Sequence, residues 1–166
     1  MKEVMYNGYA KEVLEAFPKG VFLSVSDGQR DNTMTIGWGS IGFMWKKPIF
    51  MVMVRHTRYT YELIEKADCF TVSVPLSTNL QKELGICGSK SGRDVDKFQV
   101  AGLTKLRANK VNAPLIGECD LHFECKIVGK QKLTKEVLLP DIDTAWYSDG
   151  DYHTLYYGEI VGTYTK

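Results

Sequence analysis

The sequence predicts a mostly-β fold: one closed or partly closed barrel with short peripheral helices. Three observations carry that expectation. Segments with strand periodicity or strand composition recur along the chain, among them Val21–Ser26, Ile49–Val54 and Leu155–Tyr164. The helical patterns between them are short. Turn residues punctuate the sequence without a repeat, a low-complexity tract or an interdomain linker, so residues 1–166 read as one domain. Six or more strands joined in this way bury their edges by closing on themselves, and a two-sheet sandwich is the geometric rival.

Taken in order, a first helix near Ala10–Ala16 stops ahead of Pro18, whose ring and missing N–H cannot extend it. Val21–Ser26 is a strand that turns at Asp27–Gly28. Met34–Ile41 is a second extended segment, and its glycines mark curvature, a bulge or close approach of another group. Ile49–Val54 is almost wholly apolar and reads as a central strand covered on both faces. Arg58–Lys66 suits a short helix with Tyr61, Leu63 and Ile64 inward, and Phe70–Val74 alternates until Pro75 closes it. Thr78 and Gln81 have the spacing of a capping box for a helix over Asn79–Leu84, and Ser91 and Asp94 suit a further turn ahead of Phe98. The clearest period of two runs from Cys119 to Ile127. Cys119, Leu121, Phe123, Cys125 and Ile127 share one face, and Asp120, His122, Glu124 and Lys126 share the other.

Composition excludes several function classes. The 166 residues are 44% hydrophobic, enough for a substantial core without disulfides or a structural metal. Lys and Arg number 21 against 20 Asp and Glu, so no global field draws the chain to nucleic acid, and an anion would need a local cluster. Trp38 and Trp45 beside Lys46 and Lys47 offer stacking and charge, but the same aromatics suit a core or a subunit surface, and no nucleic-acid partner is expected. The longest strongly apolar run, Ile49–Val54, is far short of the roughly 20 residues that cross a bilayer, and the N-terminus lacks a signal-peptide pattern. The expectation is a cytoplasmic protein with no membrane partner. The cysteines Cys69, Cys87, Cys119 and Cys125 form no CxxC pair, the three histidines have no metal-like spacing, and buried thiols without a metal are expected. Walker, GxGxxG and GxSxG motifs are absent, and neither Asp94 with Asp96 nor Glu118 with Asp120 establishes a hydrolytic carboxylate pair.

Three segments are richer in chemistry than a core requires. Asp31–Gly42 mixes hydroxyls, an amide, three glycines and a tryptophan, which suits backbone contact with a flat polar ligand or an irregular, bent strand. Arg55-His56-Thr57-Arg58-Tyr59-Thr60 joins two guanidinium groups to hydroxyls at a strand-to-helix junction, which suits a phosphate or a solvated junction. His153–Gly162 begins with a histidine able to donate, accept or exchange a proton near neutral pH, or to serve structure alone.

The order of these segments resembles the flavin reductase-like, flavoredoxin-type proteins of the FMN-binding split-barrel superfamily. The resemblance runs through Asn32–Pro48, Arg55–Lys66, Phe70–Pro75, Ser91-Gly92-Arg93-Asp94 with Lys97-Phe98, Gly117–Cys125 and His153–Gly162. It implies a six- or seven-stranded Greek-key split barrel, a homodimer, and non-covalent FMN near the subunit interface. It places Asn32, Thr33, Met34 and Thr35 along the isoalloxazine and ribityl chain, with Ser40 assisting. It places Arg55, Thr57, Arg58 and Thr60 at the phosphate, with Tyr59 packing on the cofactor or shaping the loop. Ser91, Arg93 and Lys97 are secondary contacts, from a neighbouring loop or subunit, and His153 is an auxiliary group rather than a required catalytic one. The implied activity is an oxidoreductase that takes electrons from NADH or NADPH through FMN to a small-molecule acceptor or a redox protein. The alternatives are an electron carrier reduced by a protein partner and a non-enzymatic FMN- or haem-binding module.

Overall fold

The computed structural model describes residues 1–166. Strands β1 (Lys2–Glu3), β2 (Val21–Ser26), β3 (Asp31–Ile36), β4 (Gly39–Met44), β5 (Lys47–Arg55), β6 (Cys69–Val74), β9 (Leu121–Lys132) and β10 (His153–Thr165) form one antiparallel sheet. Its order is β3-β2-β6-β9-β10-β5-β4, with β1 added to β10. The short strands β7 (Lys105–Leu106) and β8 (Leu115–Ile116) pair separately. The helices are α1 (Ala10–Ala16), α2 (Tyr59–Ile64), α3 (Gln81–Ser89), α4 (Lys97–Ala101) and α5 (Pro140–Trp146).

The sheet rolls up because its strands alternate. Val21, Leu23 and Val25 of β2 meet Phe50, Val52 and Val54 of β5, Phe70, Val72 and Val74 of β6, and Leu121, Phe123 and Cys125 of β9 in one buried cluster. The sheet's two ends, β3 and β4, are separated in sequence only by Gly37 and Trp38. The result is the split barrel that the family resemblance implies. Tight backbone approach fixes this corner: a Cβ on Gly39 would lie 2.6 Å from the Phe17 ring and 2.9 Å from the Met51 carbonyl. The expected extended segment Met34–Ile41 is therefore two strands with a corner between them.

A second, smaller core lies outside the barrel. Phe22, on the outward face of β2, packs with Leu84 and Cys87 of α3, Phe98 of α4, and Cys119. Residues 103–118 cover the outward faces of β6 and β9, so Thr71, Ser73, His122 and Glu124 there are buried, while Lys126 is exposed. The Thr71 hydroxyl donates to Pro114 O at 2.5 Å, Ser73 Oγ lies 3.0 Å from His122 Nδ1, and Glu124 accepts from the amides of Asn109 and Lys110 at 2.8 and 2.6 Å.

Other boundaries move for local reasons. Asp120 accepts from the backbone amides of Leu76, Ser77 and Thr78, which holds Thr78 in a turn, and α3 starts at Gln81 with no side-chain cap. The turn expected ahead of Phe98 is present, with Ser91 Oγ accepting from the Arg93 amide at 3.2 Å, and Asp96 caps α4 by accepting from the amides of Phe98 and Gln99. Strand β5 is fully covered on the face of Phe50, Val52 and Val54 and only in part on the other, where Ile49 is buried but Met51 and Met53 are half-buried. No helix is long and apolar enough to cross a membrane.

Candidate functional site

Beside the corner, between β3, α2, the end of α3 and the start of β10, two cavities meet. The larger, about 250 Å³, is walled by Met34, Gly37, Trp38, Met53, Trp146 and His153, with Arg55 and Arg58 at its polar side. The smaller, about 90 Å³, lies between α2 and the turn after α3. Met34, Arg58 and Gly88 line both.

The small cavity is built for negative charge. Arg58, Lys90, Arg93 and Lys97 line it together with the hydroxyl residues Thr57, Thr60, Ser89 and Ser91, and no Asp or Glu does. Lys97 is only 6% exposed, and its Nζ donates to the carbonyl of Cys87 at 2.8 Å. It has no carboxylate partner, and burial pulls its pKa below the usual lysine value of 10.5, with nearby Arg58 adding to that pull. A buried ammonium beside a second cation is costly unless an anion joins them. Arg58 also forms no ion pair within the chain.

The wall of this cavity is fixed by its neighbours. Gly92 seats its backbone where a Cβ would lie 2.2 Å from Asn32 Oδ1 and 2.7 Å from Tyr59 Cδ1. Asn32 donates to Thr60 Oγ1 at 2.8 Å, and Arg30 donates to the Tyr59 hydroxyl at 2.9 Å. Arg93 reaches across α2 to Glu62 and to the carbonyl of Thr57, and its guanidinium carbon lies 5.5 Å from the centre of the Tyr59 ring.

The expected site residues therefore fall into three groups. Thr57, Arg58, Tyr59, Thr60, Ser91, Arg93 and Lys97 gather at the small cavity. Met34, Thr35, Arg55 and His153 line the larger cleft. Asn32, Thr33 and Ser40 line neither cavity. Thr33 is buried toward α3 and α4, its hydroxyl accepting from Ser24 and donating to Leu23 O, and Ser40 is exposed on β4. Thr35, although on the cleft wall, donates its hydroxyl to Leu84 O at 2.6 Å.

Arg55 stands apart from the phosphate-type cluster with which its sequence groups it. Its guanidinium donates to the carbonyls of Asp151 and Trp146 at 2.7 and 2.8 Å and lies 3.7 Å from Asp149. Thr57 donates its hydroxyl and amide to the Asp151 carboxylate at 2.7 and 3.1 Å. Both residues thus pin the end of α5 and the segment after it, which holds Trp146, the last residue of α5, against Trp38 with ring centres 5.1 Å apart and planes at 87°. Trp146, Tyr147, Gly88 and Ser89 escaped the sequence reading. Only the aromatic density of Trp146-Tyr147 hints at them, and nothing local connects either segment to the corner at Trp38.

His153 is 8% exposed, lies 5.3 Å from Trp38 ring to ring, and has its Nδ1 2.8 Å from the Tyr147 hydroxyl. Burial, reinforced by Arg55, lowers its pKa to about 4. His56 instead places Nε2 2.9 Å from the hydroxyl of Thr154, next to His153, and His122 is buried away from both under residues 103–118.

The chain and its fold have counterparts among known proteins. Residues 14–166 match the family model described as a flavin reductase like domain. The chain belongs to the flavin reductase-like family. Within it, the chain is 32% identical over 145 residues to an uncharacterized protein of Archaeoglobus fulgidus, covering 87% of this chain and 71% of that one. The fold superposes on flavoredoxin of Desulfovibrio vulgaris (Miyazaki F) with a TM-score of 0.69 and 26% identity, over 89% of this chain and 69% of the other. It also superposes on an NADH:FAD oxidoreductase of Streptomyces globisporus with a TM-score of 0.67 over 100% and 89% of the two chains. At 17% identity, that last likeness concerns the fold alone.

Proposed function

We propose that this flavin reductase-like protein is an oxidoreductase that holds FMN non-covalently in the joined cavities and takes electrons from NADH or NADPH. The observation that carries the reading is Lys97: a buried ammonium that faces, with Arg58, a small cavity without a carboxylate. A phosphate monoester supplies the missing charge, and the adjoining aromatic cleft suits a flat ring on the same molecule. Bound FMN would supply the hydride and single-electron chemistry.

The chain's own residues bind, orient and shield. Lys97 and Arg58 hold the phosphate, with the hydroxyls of Thr57, Ser89 and Ser91 within the same wall. Met34, Met53 and Trp38 flank the ring, and Trp146 over Trp38 keeps water from one side of the cleft. His153 stays neutral and adds no charge beside the ring.

A homodimer belongs to the same proposal. The half-buried Met51 and Met53 on one face of β5, with exposed Phe43 and Trp45 on the adjoining hairpin, support a subunit contact next to the cleft. If the partner completes the site, dilution below the assembly range weakens FMN retention.

The test is reconstitution with FMN followed by anaerobic addition of NADH or NADPH. Bleaching of the bound flavin is the expected result. A tightly bound flavin that neither nucleotide reduces would leave the second reading, a carrier reduced by a protein partner, which the 26% identity to a flavoredoxin favours. Failure to take up FMN defeats both.

A further inference from the structure

His153 has two ring nitrogens, and the contact made by Nδ1 bears on which of them carries the proton. Nδ1 lies 2.8 Å from the buried hydroxyl of Tyr147, and that hydroxyl makes no second hydrogen bond within the chain. Were Nδ1–H the donor, the phenol proton would find no acceptor within the chain. With the phenol as donor, Nδ1 is bare, and the remaining proton sits on Nε2, the only polar atom the ring has left for the cleft it lines.

Tyr147 is held firmly enough to impose that choice. Arg55 donates to the carbonyls of Trp146 and Asp151 on either side of it, and its guanidinium carbon lies 5.2 Å from the centre of the Tyr147 ring. Tyr152 stacks on its other side, with ring centres 4.9 Å apart and planes at 13°, and is itself held by donation to Asp143 Oδ1 at 2.5 Å.

We propose that Tyr147 is a positioning residue that locks His153 as the Nε2–H tautomer, giving the cleft one neutral donor beside Trp38 for the carbonyl oxygen of a planar ligand. The ligand class rests on the reading of this cleft as a site for flat redox molecules; the tautomer does not. Burial and the facing cations Arg55 and Arg58, with His56 nearby, oppose protonation, and Asp151 offsets them only in part. The donor is therefore a neutral N–H at pH 7, so it selects an acceptor atom without drawing a second anion away from the Lys97 cavity. Trp38, 5.3 Å from the His153 ring and braced by Trp146, supplies the flat wall that fixes the ligand plane.

The experiment is long-range proton–nitrogen correlation NMR on histidine-labelled protein at pH 7, with and without FMN, and the probes are added to the flavin-free form: benzamide as a planar carbonyl probe and styrene as a probe of similar shape without an acceptor. Wild type should show His153 protonated at Nε2 and bare at Nδ1. Benzamide should move the Nε2–H signal and styrene should not. Tyr147→Phe keeps the ring and its packing, so it should mix the two tautomers and weaken benzamide binding about two- to tenfold, the range for one lost hydrogen bond. An Nδ1–H tautomer in wild type, a cationic ring, or an unmixed Nε2–H form in Tyr147→Phe overturns the positioning role. The expected tautomer with no response to benzamide overturns the ligand class. If FMN does not bind, the flavin reading falls, and the tautomer measured on the flavin-free protein still decides the role of Tyr147.

Discussion

Replacing Lys97 with Met should move stability and cofactor affinity in opposite directions. The lysine is 6% exposed and has one neutral partner, the Cys87 carbonyl, at 2.8 Å. Its folded-state pKa is lowered from 10.5, chiefly by burial. The unfolded chain therefore binds that proton more tightly than the folded chain. The charged lysine destabilises the empty fold at neutral pH, and the penalty fades as pH rises toward 10.5. Met has a similar length and no charge to desolvate, so the empty variant should melt higher than wild type. For FMN, the change removes a charge-assisted hydrogen bond to phosphate, worth about 1.5–3 kcal/mol. That corresponds to roughly 10- to 150-fold weaker binding. Riboflavin, which has the ring and no phosphate, should bind both proteins alike. Flavin fluorescence titrations with FMN and riboflavin, beside calorimetric melting of the empty proteins, read all three quantities. FMN affinity within about twofold of wild type, or an equal loss for FMN and riboflavin, refutes the phosphate assignment.

Three further outcomes follow from the geometry. Gly92→Ala places a Cβ 2.2 Å from Asn32 Oδ1, so the turn must shift; a loss of about 1–3 kcal/mol in urea unfolding, with weaker FMN binding, is expected. Burial holds His122 near a pKa of about 4 against an ordinary 6.5, so the unfolded chain takes up a proton that the folded chain refuses as pH falls below 6.5. Stability should drop by at most about 1.4 kcal/mol per pH unit from this ring until pH nears 4, and His122→Asn should reduce the slope of that part of the wild-type profile, leaving the share that His153 contributes over the same range. Arg55→Lys cannot span both the Trp146 and Asp151 carbonyls as a fork, so proteolysis should nick the segment after α5 faster while global unfolding changes by less than about 1 kcal/mol.

The strands were legible because local alternation encodes them. Val21–Ser26 has the predicted bounds, and the inward set Leu121, Phe123 and Cys125 is the one that period two selects. What escaped depends on distant covering. Nothing near His122 or Glu124 announces that residues 103–118 bury them, and Cys119 leaves its alternation to join the outer core beside α3. At the site, the cluster Thr57–Thr60 with Ser91, Arg93 and Lys97 could be anticipated from the family resemblance. The use of Arg55 could not, because its partners are backbone carbonyls more than 90 positions away, and carbonyls carry no residue-type signal. The engagement of Thr33 was equally hidden: its hydroxyl suits a ligand by type, but on β3 it is buried and bonded to Ser24 and the Leu23 carbonyl of β2.

The junction of the two cavities at Met34, Arg58 and Gly88 gives the site a direction. One end is cationic and polar, the other aromatic, and the Arg55 charge at the aromatic end is engaged by the segment that covers it. A molecule with a charged head and a flat tail thus has a single polarity of entry. The head sets how far the tail can advance, much as a stop sets depth on a rail. Losing the phosphate would cost alignment along that rail as well as affinity, so a headless ring should occupy the cleft in several offsets rather than one.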